Sequence, residues 1–179
     1  MDIAPLPPPS SWIMQKASAW PDGARLIDLA SGQGRHSVAL AAAYPGRFNI
    51  LAVDRDQAAL AALKARCSDV TTCHFDLETE AIWPFSGKNF DVVLVTNYLY
   101  RPRLDDVFRL VGYGGYIAYE TFGTGNEVFG KPSNPDYLLQ EAELLTHLPN
   151  DFIKIEYFHG QINQPKQAII QRLSARRAA

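Results

Sequence analysis

The stretch Ile27-Asp28-Leu29-Ala30-Ser31-Gly32-Gln33-Gly34, running into Arg35-His36-Ser37, decides how this chain is read. An apolar strand closes on an acid, the backbone bends through two glycines one residue apart, and a helix opens. Glycines at this spacing let the backbone turn sharply and approach a ligand where any side chain would collide. Enzymes that bind dinucleotides carry a third glycine three residues after the second, which brings the helix N-terminus onto a pyrophosphate. Here that position is Ser37. Asp28 would also repel a pyrophosphate and suits a cationic amine. A glycine-rich strand-to-helix turn also occurs in nucleotide binders and as plain packing, but these two departures favour a ligand carrying an ammonium group over one carrying phosphates.

Working outward, five apolar runs rich in branched residues occupy Arg25 to Ala30, Phe48 to Val53, Val70 to Phe75, Phe90 to Thr96 and Tyr116 to Phe122. Strands apolar on both faces and separated by helix-like stretches signal a parallel sheet covered on two sides. The helix from Arg35 to Tyr44 stops at Pro45-Gly46, and the next is capped by Asp56, with Leu60, Leu63 and Cys67 on one face. Further helices are predicted from Ser10 to Trp20 and from Pro135-Asp136 through Leu138, Leu139 and Ala142 to Leu145. Phe152 to His159 and Gln167 to Leu173 are two strands with no room for a helix between them, so they pair as an antiparallel hairpin. The expected fold is α/β: a doubly wound, Rossmann-like, seven-stranded sheet, parallel apart from its C-terminal hairpin.

Two more acids fall at strand ends. Asp54 lies 20 residues after Gly34, closing the second strand, where a carboxylate accepts hydrogen bonds from ribose hydroxyls. Asp76 follows the third strand, and Leu77 beside it can cover an adenine ring. Each aspartate alone reads equally well as a helix cap or solvated turn. Three at successive strand ends on one edge point to a binding edge.

These residues resemble class I S-adenosylmethionine-dependent methyltransferases. Within that class, the strings DLASGQGRHS (Asp28 to Ser37) and YETFGTGNEVFGKPSNPDYLL (Tyr119 to Leu139) are most similar to the small bacterial group related to tellurite-resistance methyltransferases. The resemblance implies that Asp28, Gly32 and Gly34 flank the methionine part of S-adenosylmethionine, Asp54 its ribose and Asp76 its adenine. Ala30 stands where the family has the first of three glycines. Arg35, Arg55, Leu77 and Asn97 complete the expected cofactor set, with S-adenosylhomocysteine as product and no metal.

Methyl transfer asks the protein chiefly to align a nucleophile, exclude water and, where needed, take up a proton. The expected positions follow strands four and five. Thr96-Asn97-Tyr98-Leu99-Tyr100-Arg101 is a polar and aromatic cluster in which Tyr98 and Tyr100 are candidates to wall the acceptor pocket and Arg101 to bind an anion, or else all three pack structurally. Glu120 is the candidate general base, with a structural salt bridge as the alternative. Gly123 to Pro135 is long for a connection and fits a closing lid. His36 faces either the ligand or neighbouring backbone, and Asn126 and Asn134 rank below Glu120 as substrate contacts.

The bulk numbers set the frame. In a chain of 179 residues, 47% hydrophobic and 20% charged residues are ordinary globular values, so disorder is excluded over most of the length. A single domain over residues 1–179 is expected, with loose ends at 1–10 and 175–179 and a monomeric or homodimeric state. The net charge of −2 argues against a surface built to neutralise phosphates. A small-molecule acceptor is the first expectation, and RNA methylation or a non-catalytic binding role the alternatives. Cys67 and Cys73 read as free thiols, and no stretch has the features of a signal peptide or a membrane span, which points to the cytoplasm.

Overall fold

The computed structural model describes residues 5–179. Seven strands form one sheet in the order β3-β2-β1-β4-β5-β7-β6. They are β1 (Ala24–Leu29), β2 (Phe48–Asp54), β3 (Thr71–His74), β4 (Phe90–Thr96), β5 (Val111–Phe122), β6 (Phe152–Ile162) and β7 (Ala168–Arg177). The first five run parallel and β7 pairs antiparallel with both β5 and β6. Alternate residues of the central strands point to opposite faces, each of which carries its own apolar cluster. Leu26, Ala52, Val92 and Leu94 meet α1 (Ser11–Ala17), α2 (Arg35–Ala43) and α3 (Gln57–Arg66) through Trp12, Leu40, Leu60 and Leu63. Ile27, Val53, Val93 and Tyr119 meet Trp83, Phe85, α4 (Leu104–Arg109) and α5 (Glu143–Thr146).

Local chemistry sets the element ends that matter here. Ser10 accepts from the backbone of Ile13 at the start of α1, and Asp56 accepts from Ala58 and Ala59 at the start of α3. Gly34 caps α2 with φ 77°, a conformation that glycine adopts without strain. β1 and β4 sit side by side at the centre, so the strand order reverses there and their C-terminal ends open a crevice.

Two expectations are corrected. The helix predicted from Pro135 to Leu145 is absent: a 3₁₀ turn at Pro135–Tyr137 and the four residues of α5 stand in its place. Arg101 takes the carbonyls of Asp136 and Leu138, and Gln171 takes the carbonyl of Gln140 and the N–H of Leu144. Ala142, at φ 59°, then breaks the run. The ends are also less loose than expected. Ala175 to Arg177 continue β7, with Arg177 bonded to Asp151, and Ser10 is buried. The expectation for residues 1–4 lies outside the described residues. A helix not foreseen, α4, buries Leu104, Val107 and Phe108.

Candidate active site

Asp28, Asp54 and Asp76 lie toward the same edge of the sheet, because β1, β2 and β3 are parallel and in register to their C-terminal ends. The chain crosses from β1 to α2 through left-handed residues at Ala30, Gly32 and Gly34. Asp54 braces this bend: one carboxylate oxygen accepts from the Gly32 N–H at 2.6 Å, and the other from the Asp56 N–H at 2.8 Å. The two glycines differ in what they permit. A Cβ on Gly34 would come within 2.2 Å of Leu63 Cδ1, whereas one on Gly32 would meet nothing within 4 Å. Gly34 is thus demanded by packing of α2 on α3, while Gly32 faces open space.

Asp28 is 1% exposed and lies beneath the first turn of α2. Its Oδ2 accepts from Ser37 Oγ at 2.7 Å, and its buried Oδ1 has no partner among the described residues. Burial pushes its carboxyl up to about 6, against the opposing pull of the Ser37 hydrogen bond and the Arg35 charge. A buried acid left one hydrogen bond short is costly to the empty chain. A cationic amine would satisfy it.

Three neighbouring cavities along the strand ends share walls and together make a trench-like row. At one end Ala30, Asp54, Phe75, Asp76, Leu77 and Tyr98 enclose a small hollow. Arg55, Glu78 and Tyr98 also line its neighbour of about 320 Å³, which reaches Asn97 and Phe122. Asn97 and Phe122 in turn line a third cavity of about 300 Å³, whose walls include Ser10, Arg35, Glu120 and Arg172. The hollow at Asp54 and Asp76 is thus rich in carboxylates and the far end rich in cations. Tyr98 keeps its proton, since burial raises its pKa, and its buried hydroxyl has no partner among the described residues. A larger open hollow of about 740 Å³ between Thr124, Leu138 and the hairpin contains none of the strand-end carboxylates.

The remaining candidates take definite places. Glu120 Oε2 accepts from Arg172 Nε at 2.6 Å and from Ser10 Oγ at 3.0 Å. Tyr100 stands before the 3₁₀ turn at Arg101–Arg103, outside the walls of the trench. Arg101 binds Glu143 and two backbone carbonyls, so its guanidinium clamps the segment after β5. That segment is pinned again through Asn126, which donates to the Pro132 carbonyl and accepts from the Ile169 N–H. Asn134 caps the 3₁₀ turn at Pro135–Tyr137. His36 is buried, accepting from the Ser10 N–H on Nε2 and facing Thr96 Oγ1 with Nδ1. Because Nε2 accepts, Nδ1 carries the proton and donates to Thr96. Burial and the Arg35 charge press its pKa down to about 3.

Sequence reasoning missed Ser10 and Arg172 as parts of the site. Arg172 interrupts an apolar strand and stands directly opposite Glu120 in the β5–β7 register. Two opposite charges on buried strands were the available signal, but only the register joins them.

The fold and this edge define the chain as a class I methyltransferase domain. Residues 26–114 match the family described as a methyltransferase domain. Its fold is that of class I S-adenosylmethionine-dependent methyltransferases, the TehB-like group among them. TehB from Haemophilus influenzae superimposes with a TM-score of 0.73 at 18% identity, over 94% of this chain and 62% of that one. A TehB-like SAM-dependent methyltransferase from Corynebacterium glutamicum gives 0.65 at 19%, over 92% and 85%. Among curated proteins, ribosomal RNA small subunit methyltransferase H of Acidithiobacillus ferrooxidans is 30% identical over 90 residues, 48% of this chain. The match covers only 28% of the length of that relative.

Proposed function

We propose that this chain transfers a methyl group from S-adenosylmethionine to a small-molecule acceptor. The observation that carries the reading is the row of adjoining cavities along the strand ends, carboxylate-lined at Asp54 and Asp76 and cationic at Arg35, Lys166 and Arg172. When bound, the cofactor supplies an electrophilic methyl group on a sulfonium sulfur. Asp54 retains lone pairs to accept from ribose hydroxyls, Asp76 and Leu77 hold the adenine, and Ala30, Arg55 and Tyr98 close round them. Asp28 and the glycine bend meet the ammonium end, Arg35 the carboxylate, and Asn97 stands where the trench turns toward the acceptor cavity. Residues at this edge fit the group, since Asp28 Oδ1 and the Tyr98 hydroxyl both lack partners that a polar ligand can provide.

The acceptor cavity is walled by short loops and the terminal hairpin, which suits a small molecule. RNA methylation would call for a basic face beside it. Of the residues the sequence offers for one, Arg101, Arg103, Arg109 and Lys131, the three arginines are each paired with Glu143 or Asp106. The test is to incubate the full chain with methyl-labelled cofactor and, separately, a fractionated small-molecule extract and total RNA. Label is expected in the small-molecule pool. Label confined to RNA, or none in either pool, would refute the reading.

A further inference from the structure

Arg172 is the most tightly specified group in the acceptor cavity. Its guanidinium is held by Glu120 through Nε and lies 5.5 Å from the centre of the Trp12 ring and 5.7 Å from that of Phe158. Trp12 is itself fixed, its indole N–H donating to Glu156 Oε1 at 2.9 Å. Neither terminal nitrogen of Arg172 donates to any described residue. A guanidinium immobilised by one nitrogen and two rings, with the rest of its fork undonated, is preorganised for a planar oxyanion. Lys166, on the hairpin, lines the same cavity and has no ion-pair partner among the described residues. With Arg35 assigned to the cofactor carboxylate, Arg172 and Lys166 still outnumber Glu120, although the chain as a whole carries a net charge of −2. The remaining walls combine apolar Pro8, Pro9, Phe122, Ile162 and Ile170 with polar Ser10, Ser11, Asn97 and Gln164.

The cavity also lacks a free base. Glu120 is the one acid among its walls, and a proton taken up there would strand the Arg172 charge it neutralises. His36, behind it, spends its lone pair on the Ser10 N–H.

Resting on the methyltransferase reading, we infer that the acceptor is a small organic carboxylate, held by Arg172 and Lys166 and methylated on its own oxygen without a protein base. The carboxylate oxygen attacks the methyl carbon; the O–CH3 bond forms as the S–CH3 bond breaks, and the bonding pair stays on sulfur. The negative charge of the acceptor and the positive charge of the sulfonium vanish together, and no proton moves. Glu120 in this account is a positioning residue for Arg172. The apolar walls distinguish an organic acid from a bare inorganic oxyanion, which would leave them unfilled.

The experiment is calorimetry on the full chain, first with S-adenosylhomocysteine and then, in the saturated protein, with phenylacetate, phenylacetamide and phenethylamine as matched probes. Phenylacetate is expected to bind about tenfold more tightly than the amide, and the amine not at all. Arg172→Gln should abolish that preference. Lys166→Ala, at an exposed position remote from the core, should cut phenylacetate affinity severalfold and tests the same point should the first variant fail to fold. Turnover on phenylacetate should release labelled methanol on alkaline treatment, the mark of a methyl ester, at a rate flat between about pH 6 and 9. Equal or tighter binding of amide or amine, no phenylacetate binding at millimolar concentration, or a rate that climbs with pH would overturn the inference while S-adenosylhomocysteine binding stands. Failure of S-adenosylhomocysteine to bind would bring down the methyltransferase reading and this one with it.

Discussion

Asp28 shows how a binding residue weighs on an empty fold. Its carboxyl is raised from 3.8 to about 6, so between those values the folded chain holds a proton that the unfolded chain has released. Stability therefore falls as pH rises through that window and stays lower above it. Asp28→Asn keeps the acceptor for Ser37 and removes the charge. It should stabilise the empty protein by about 2 to 3 kcal/mol at pH 8 and by almost nothing at pH 4, in urea denaturation at both pH values. A less stable variant at pH 8 would contradict the buried-charge account. The glycine pair makes a second prediction at this scale. Gly34→Ala should lose about 3 kcal/mol or more, because its methyl group overlaps Leu63, whereas Gly32→Ala should lose about 1 kcal/mol from its left-handed backbone alone. Thermal melts compare the two, and both variants should bind S-adenosylhomocysteine poorly. The acids and glycines were legible in sequence because backbone geometry and strand ends dictate them. The fate of Glu120 was not, since its partner lies 52 residues away on a strand whose register no local pattern reveals.

At the scale of elements, His36 ties the segment before α1 to α2 and β4. Its pKa, pressed to about 3 from 6.5, means that below 6.5 the unfolded chain takes up a proton that the folded chain refuses. Stability should then fall as pH drops from 6.5 toward 3, opposite in sense to the Asp28 effect, which is why single variants are needed to separate them. In His36→Gln, which can still accept from the Ser10 N–H, the midpoint of urea denaturation should fall less steeply over that range than in the parent chain; an equal slope would contradict the role. Strands and the first three helices were readable because apolar periodicity survives tertiary contact. The helix predicted from Pro135 was not realised because Arg101 and Gln171 satisfy backbone groups that a helix would have paired internally. The same clamps turn the expected lid into a pinned segment, a result that loop length and composition do not disclose.

At the scale of the whole molecule, the strand-end edge is proposed to hold an adenosyl ligand of positive charge. The topology was legible from five apolar runs and a terminal hairpin, and it fixes where such an edge must lie. The trench itself was less so, since the segment before α1, the hairpin and Arg172 reach it from both ends of the sequence. Among the described residues no helix is long and apolar enough to cross a membrane. The direct measurement is calorimetric titration of the purified chain and of Asp54→Ala with S-adenosylhomocysteine. The account predicts saturable binding at one site per chain, weakened in the variant by about 1 to 3 kcal/mol as charge-assisted hydrogen bonds are lost. No binding by the folded parent chain, or equal affinity in the variant, would contradict it.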